Sequence, residues 1–252
     1  MTTDLVLLSL LLATGFSAGL VDAIAGGGGL ITLPVLLATG MAPKLALGTN
    51  KFQSSFGSFT AAAYYSRKGV AEIRPARLGI IMTLAGAGLG AWSVQLIESD
   101  VLSGIVPFLL LAIAVYTLFT PKLGEVHTTP RFSSTTFYVV TGLALGFYDG
   151  FFGPGVGSFW AILFVFGLGF DLIKATGYTK IMNFASNIIS FAAFLIGGHI
   201  WFAGGSCMAV GQILGSRIGS GLAISRGARF IRPVYITVVL ATIVKLVWQR
   251  FF

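Results

Sequence analysis

Uncharged apolar runs occupy residues 5–21, 23–39, 52–66, 78–97 and 101–119. A polar stretch follows at 120–134, and further runs cover 135–148, 150–169, 181–197, 200–216 (continuing to about 223) and 233–248. None alternates with the period of two that a barrel strand requires, so the pattern predicts helices throughout. A helix needs about 20 residues to cross a bilayer, and the third, fourth and fifth runs of each set come close once their flanks are added. The first two runs of each set are shorter and are interrupted by an aspartate and a cluster of glycines. That interruption predicts broken or half-length helices.

The two sets repeat one another. Gly15-Phe-Ser-Ala-Gly19-Leu-Val-Asp22-Ala-Ile-Ala-Gly26-Gly27-Gly28-Gly29 matches Gly142-Leu-Ala-Leu-Gly146-Phe-Tyr-Asp149-Gly-Phe-Phe-Gly153-Pro154-Gly155-Val156. Ala46-Leu47-Gly48-Thr49-Asn50-Lys51 answers Ala175-Thr176-Gly177-Tyr178-Thr179-Lys180, Gly86 and Gly90 answer Gly211 and Gly215, and Pro107 answers Pro233. One membrane domain in two halves is expected: 1–119, a connector at 120–134, and 135–252.

Charge orients the halves. Loops rich in Lys and Arg stay cytoplasmic. The 67–77 loop carries Arg67, Lys68, Arg74 and Arg77 against Glu72, whereas its counterpart Gly197-Gly198-His199 has no Lys or Arg. The acidic Glu98-Ser99-Asp100 corresponds to a loop with Arg226, Arg229 and Arg232. In both comparisons the sign bias flips, so the repeats are expected to be inverted. With five segments in each half, both termini face outside, and the connector with Lys122 and Arg131 faces the cytoplasm.

Composition agrees with a lipid setting. Of 252 residues 56% are hydrophobic and 10% charged, against about a quarter charged in a soluble domain. The net charge of +8 lies in short loops, and no nucleic-acid motif accompanies it. A lone cysteine, Cys207, excludes an intramolecular disulfide and a multi-cysteine metal site. The start of the chain, Met1-Thr2-Thr3-Asp4, lacks the basic region of a cleaved signal peptide.

The glycine cluster has neither the Walker pattern nor a βαβ context, which argues against nucleotide binding. Gly15 and Gly19, like Gly142 and Gly146, have the four-residue spacing that lets membrane helices pack closely. The run Gly26, Gly27, Gly28, Gly29 beside Asp22 differs, because such density lets the chain leave helical geometry. In a membrane that is tolerated only around a protein-lined or watery cavity. A helix restarting there would point its free N–H groups and positive dipole end inward, as a site for an anion. Gly153, Gly155 and Gly157 hold the corresponding place, and paired helix breaks in inverted repeats point to a midplane substrate site.

Asp22 and Asp149 end the first segment of each half. Each suits a cap for the following half-helix, or a carboxylate that takes up a proton during transport. Lys51 and Lys180 stand where each third segment begins, and could snorkel to the interface or hold an oxyanion. Asn50, Gln53, Asn183 and Asn187 lie beside them as interhelical glue or as ligand contacts. His199 is expected in a loop, and Arg217 as an anchor at the cytoplasmic end. The aromatics Phe147, Tyr148, Phe151, Phe152, Phe159 and Trp160 are expected to pack.

Gly-Leu-Val-Asp22-Ala-Ile-Ala-Gly26-Gly27-Gly28-Gly29, Thr49-Asn50-Lys51 and Gly146-Phe-Tyr-Asp149-Gly-Phe-Phe-Gly153-Pro154 together resemble the TauE/SafE sulfite exporter family, also described as toluene sulfonate uptake permeases. The resemblance covers nearly the whole chain. It implies a multi-pass carrier of the bacterial inner membrane for small sulfur-containing or organic anions, driven by the proton gradient. The expected protein is an all-α transporter without cofactor or metal, whose partners are the anion, protons and the lipid bilayer. Helix ends at 26–29 and 153–157, the two lysines and the amides would bind the anion, with Asp22 and Asp149 coupling it to protons. The alternative is a passive anion channel. A membrane-embedded enzyme is disfavoured, since two histidines, one cysteine and few carboxylates form no evident catalytic set.

Overall fold

The computed structural model describes residues 5–102, 104, 105, 108 and 129–227. Most of the fifth run of the first half, most of the 120–134 connector with Lys122, and all of 233–248 lie outside the described residues, as do Arg229, Arg232, Pro107 and Pro233. Every element within them is a helix: α1 Leu5–Ala25, α2 Gly29–Ala38, α3 Pro43–Arg67, α4 Ile73–Leu96, α5 Ser134–Phe151, α6 Val156–Leu168, α7 Leu172–Ile196 and α8 Phe202–Arg226. Four of these, α1, α4, α7 and α8, are long and apolar enough to cross a membrane. Large apolar side chains such as Leu89, Trp92, Val140 and Leu214 lie exposed on the bundle, an outer surface suited to lipid.

Two expectations change. The first helix of each half is not short: α1 runs unbroken through Asp22 for 21 residues and α5 through Asp149 for 18. Only the second helices are half-length, with 10 residues in α2 and 13 in α6. The third helices also begin before their apolar runs, at Pro43 and Leu172. Proline at the first helical turn starts α3, and the Asp171 carboxylate accepts from Lys174 N at 2.9 Å to start α7. Lys51 and Lys180 therefore sit about two turns inside their helices, not at the mouths. A hydropathy run stops at a charge, whereas the backbone ladder does not.

Packing follows the glycines. Gly142, Gly146 and Gly150 on α5 pack against α4 around Gly79, Thr83 and Ala87, and Gly86 and Gly90 on α4 pack against the main chain of Leu143 and Phe147, close enough that a Cβ on Gly146 would stand 2.7 Å from Thr83 O. Gly15 and Gly19 on α1 pack against the main chain of Met208 and Gln212 on α8, and Gly211, Gly215 and Gly219 on α8 pack against that of Leu12, Phe16 and Leu20 on α1 in the same manner. Small residues spaced four apart bring the main chains together where side chains would hold them off. The contacts recur when the halves are exchanged: α1 lies along α8 as α5 lies along α4, α3 packs on α8 as α7 packs on α4, and α3 and α7 pack on each other.

The expected packing of the aromatics holds for Phe152 and Trp160, both buried. One apolar cluster gathers Tyr65, Trp160, Phe164 and Leu172, where α3 ends and α7 begins, and a second gathers Leu33, Leu47, Phe152 and Phe194 at the opposite ends. Between them α3 and α7 bury a polar run of lysines, amides and hydroxyls. That run contains the candidate site.

Candidate functional site: a pocket between two glycine hairpins

The chain leaves α1 through Gly26 and Gly27 at φ +76° and +104°, and leaves α5 through Gly153 and Gly155 at +99° and +82°. Only glycine adopts these angles without strain. The two turns meet backbone to backbone. A Cβ on Gly26 would stand 2.8 Å from the carbonyl carbon of Gly157, and one on Gly29 would stand 3.3 Å from Pro154 Cα. The half-helices α2 and α6 start from these turns, so two positive helix ends converge on one place.

A small polar pocket opens there, about 30 Å³ by the centre of a water-sized sphere, room for a couple of waters at about 10–15 Å³ each. Of the residues singled out in the sequence, Asp22, Gly27, Gly28, Gly29, Asn50, Lys51, Asp149, Gly153, Gly155, Gly157, Asn183 and Asn187 line it. Gly26 lies behind the lining in the contact with Gly157. Gln53 is buried beside it, donating from Nε2 to Asn50 Oδ1 at 2.9 Å. Lys180 is fully buried, with its ammonium turned to Asp22.

Neither lysine snorkels. Lys51 Nζ contacts Asp149 Oδ1 at 2.5 Å, and Lys180 Nζ contacts Asp22 Oδ2 at 3.1 Å. Each pair joins the third helix of one half to the first helix of the other. An unpaired charge so buried would be strongly destabilising, which is why the ammonium turns inward to a carboxylate and not outward to the interface. Gly153 makes the room: a Cβ there would lie 2.6 Å from Lys51 Nζ and 2.8 Å from Asp149 Oδ1.

The two aspartates differ in their remaining bonds. Asp22 Oδ1 accepts from Gly27 N and Gly28 N, each at 3.2 Å, so it caps the turn ahead of α2. Lys180 Nζ also donates to the main-chain carbonyl of Asp22. Asp149 makes no such cap, and its buried Oδ2 has no hydrogen-bond partner among the described residues. The capping expectation thus holds for Asp22 and fails for Asp149, because Pro154 takes a place where the first half offers the Gly27 N–H.

The amides fill the gaps. Asn50 Oδ1 accepts from Thr32 Oγ1 at 2.5 Å, tying α3 to α2. Asn187 Nδ2 donates to Ser58 Oγ at 3.4 Å across the α3–α7 contact, and buried Asn183 Oδ1 has no partner among the described residues. Ser54, Val156 and Gln212 line the pocket without having been singled out. The repeat itself could have flagged Ser54, which follows Lys51 as Asn183 follows Lys180. Gln212 has no such signal, since the matched glycines align it with Ala87. Away from the pocket, His199 lies between α7 and α8 as expected, and Arg217 stacks over Tyr64 at 4.4 Å.

Among the described residues no group of three or more His, Cys, Asp or Glu could hold a metal ion. The arrangement offers two lysine–aspartate pairs and two helix ends around a water-sized space.

The model of the family described as Sulfite exporter TauE/SafE matches residues 11–246. The chain is 44% identical over 244 residues to a probable membrane transporter protein of Haemophilus influenzae, covering 97% of this chain and 96% of that one. It is 44% identical over 243 residues to the probable membrane transporter protein YfcA of Escherichia coli K12, covering 96% and 90%. A probable membrane transporter protein ORF9 of a Sinorhizobium species is 42% identical over 240 residues, covering 95% and 92%. No solved structure matches. With its apolar crossing helices, glycine turns and a family match over most of its length, the chain is a multi-pass membrane protein that belongs to the sulfite exporter TauE/SafE family of membrane transporters.

Proposed function

We propose that the protein carries small organic or sulfur-containing anions (sulfite, a sulfonate or a similar oxyanion) across the bacterial inner membrane, coupled to protons. One observation carries this reading: Lys51 lines the pocket between two converging helix N-termini, Lys180 is buried against Asp22 of the same lining, and each ammonium is neutralised by an aspartate of the other half. Such a pocket attracts an anion once a carboxylate is neutralised. The family's description, which names sulfite, supports the substrate class.

The carrier is built from two inverted repeats, 1–119 and 135–252, joined by a cytoplasmic 120–134 connector, with both termini outside. Two features support inversion: the flipped loop charges, and the antiparallel course of the equivalent helices α3 and α7, in which Gly48 meets His199 at one end and Gly177 meets Tyr65 at the other. Rocking of one half against the other would expose the pocket to each side in turn.

The test is uptake into proteoliposomes from a panel of sulfite, thiosulfate, short sulfonates and carboxylates. At least one should accumulate when an inward proton gradient is imposed. The double variant Asp22→Asn/Asp149→Asn should lose that accumulation and respond no longer to pH. Unaltered accumulation in the double variant overturns the coupling. Large steady currents without accumulation against a gradient would instead establish a passive channel.

A further inference from the structure

The repeat makes Asp22 and Asp149 equivalent by position, but their surroundings do not. From this difference we infer that Asp149 alone carries the coupled proton, that Asp22 is a fixed structural anion, and that each cycle moves one proton with one monovalent oxyanion, without net charge. The inference rests on the carrier reading above and refines it.

Asp22 is anchored at several points. Its carboxylate accepts two main-chain N–H groups of the hairpin turn and one contact from Lys180, while Lys180 also holds its main-chain carbonyl. A proton on Asp22 would weaken bonds that shape the turn, yet Lys180 would keep an acceptor in that carbonyl. Lys180 thus stays hydrogen-bonded in place. Its side chain is also 18% exposed, against 3% for Asp149, so water already shares in its solvation.

Asp149 is the reverse. Its Oδ1 meets Lys51, and its Oδ2 is buried with no partner among the described residues. A proton has a vacant oxygen to occupy, and no capping bond is lost when it arrives. Lys51 Nζ has no other acceptor among the described residues, so protonating Asp149 leaves a buried ammonium with no counter-charge. That state is strongly disfavoured until an anion restores neutrality. The charge account closes: a proton neutralises Asp149, the monoanion takes its place beside Lys51, and both leave together as the ion pair re-forms.

The groups facing Asp149 allow this. α6 contributes no charged residue, and neither does the stretch of α4 packed against this part of α5, residues 83–96. From α5 itself, Tyr148 faces away, donating its hydroxyl to Pro154 O at 2.6 Å. Lys51 comes from α3, and across the pocket the Asp22–Lys180 pair is internally neutral.

Calorimetric titration of the purified full-length protein with methanesulfonate, ethanesulfonate and acetate, all monoanions near neutral pH, tests the inference. Two cationic buffers of unlike ionisation heat, bis-tris and imidazole, would count the protons taken up with each anion. Wild type should bind at least one of the three with close to one proton, tightening by about tenfold per pH unit as pH falls, the limit for one linked proton. Asp22→Asn should keep that proton count. Asp149→Asn should bind with no proton uptake and with an affinity indifferent to pH.

Proton linkage lost in Asp22→Asn, or absent from wild-type binding, overturns the assignment while leaving an anion carrier. Failure of all three anions to bind any form removes the carrier reading as well. Should Asp149→Asn not fold, the wild-type and Asp22→Asn counts still decide. In vesicles, an imposed potassium-diffusion potential should leave methanesulfonate uptake unchanged, and a potential-driven rate would overturn the electroneutral account.

Discussion

At the scale of single residues, burial decides what a polar group can do. Lys51 and Lys180 belong to a residue type seldom buried unless paired, and here both are buried and both are paired. His199 illustrates a milder case. Its Nδ1 lies 3.3 Å from Gln95 Oε1, while Lys44 Nζ donates to Gln95 O at 2.8 Å, so a charge stands close to the ring. Burial first, and the Lys44 charge second, hold the imidazole below the ordinary value of 6.5. Because the unfolded chain protonates this histidine more readily, its contribution to stability is present above 6.5 and is lost as pH falls through the depressed native range. His199→Gln should therefore flatten the decline in melting temperature between about pH 7 and pH 5. An unchanged decline would place that pH sensitivity elsewhere.

At the scale of elements, the seams α1–α8 and α4–α5 depend on glycine at particular positions rather than on glycine in general. A Cβ at Gly86 would stand 2.8 Å from Phe147 N, with the Leu143 carbonyl closer still, and Gly90 is equally tight against Phe147 and Phe151. These neighbours are main chain and cannot step aside. Gly88, on another side of the same helix, has only Ile189 Cγ1 at 3.5 Å. Gly86→Ala and Gly90→Ala should each cost about 1–3 kcal/mol through overpacking, whereas Gly88→Ala should be neutral or gain up to about 1 kcal/mol from helix propensity. Melting temperatures in one detergent would rank the three. Equal losses at all three sites would mean that the seam is looser than its geometry requires.

For the whole molecule, the arrangement that matters is the exchange between halves. Each first helix lies on the fourth helix of the other half, and each buried lysine reaches an aspartate of the other half. Separating the halves would thus break both ion pairs together. Orientation in the membrane can be checked independently. In a Cys207→Ser background, a cysteine at Glu98 should react with a membrane-impermeant maleimide in intact cells, and one at Lys68 only after permeabilisation. Both positions are exposed loop sites. The opposite pattern would turn the topology over, and equal labelling would remove the charge-based orientation altogether.

Much of this was legible along the chain. Helical runs in place of strands, the duplicated Asp and Lys, and the glycine turns all follow from local rules: apolar periodicity, the cost of charge in lipid, and the freedom of a residue without Cβ. Most of the pocket lining could be named from them. The helix bounds were blurred because hydropathy registers side chains, while Lys51 and Lys180 extend helices whose backbone bonds are indifferent to charge. Ser54 could have been recovered from the repeat, but Gln212 could not.

The sequence by itself determined that this chain folds as helices in a membrane and that each half carries an equivalent aspartate and lysine. Only the tertiary structure decided how those residues are partnered. Lys51 and Asp149 are 98 positions apart, and Lys180 and Asp22 are 158 apart, distances over which no periodicity carries information. It also decided that duplicated aspartates are not equivalent, because hydrogen bonding depends on which main-chain N–H groups a turn presents. Gly27 presents one and Pro154 has none.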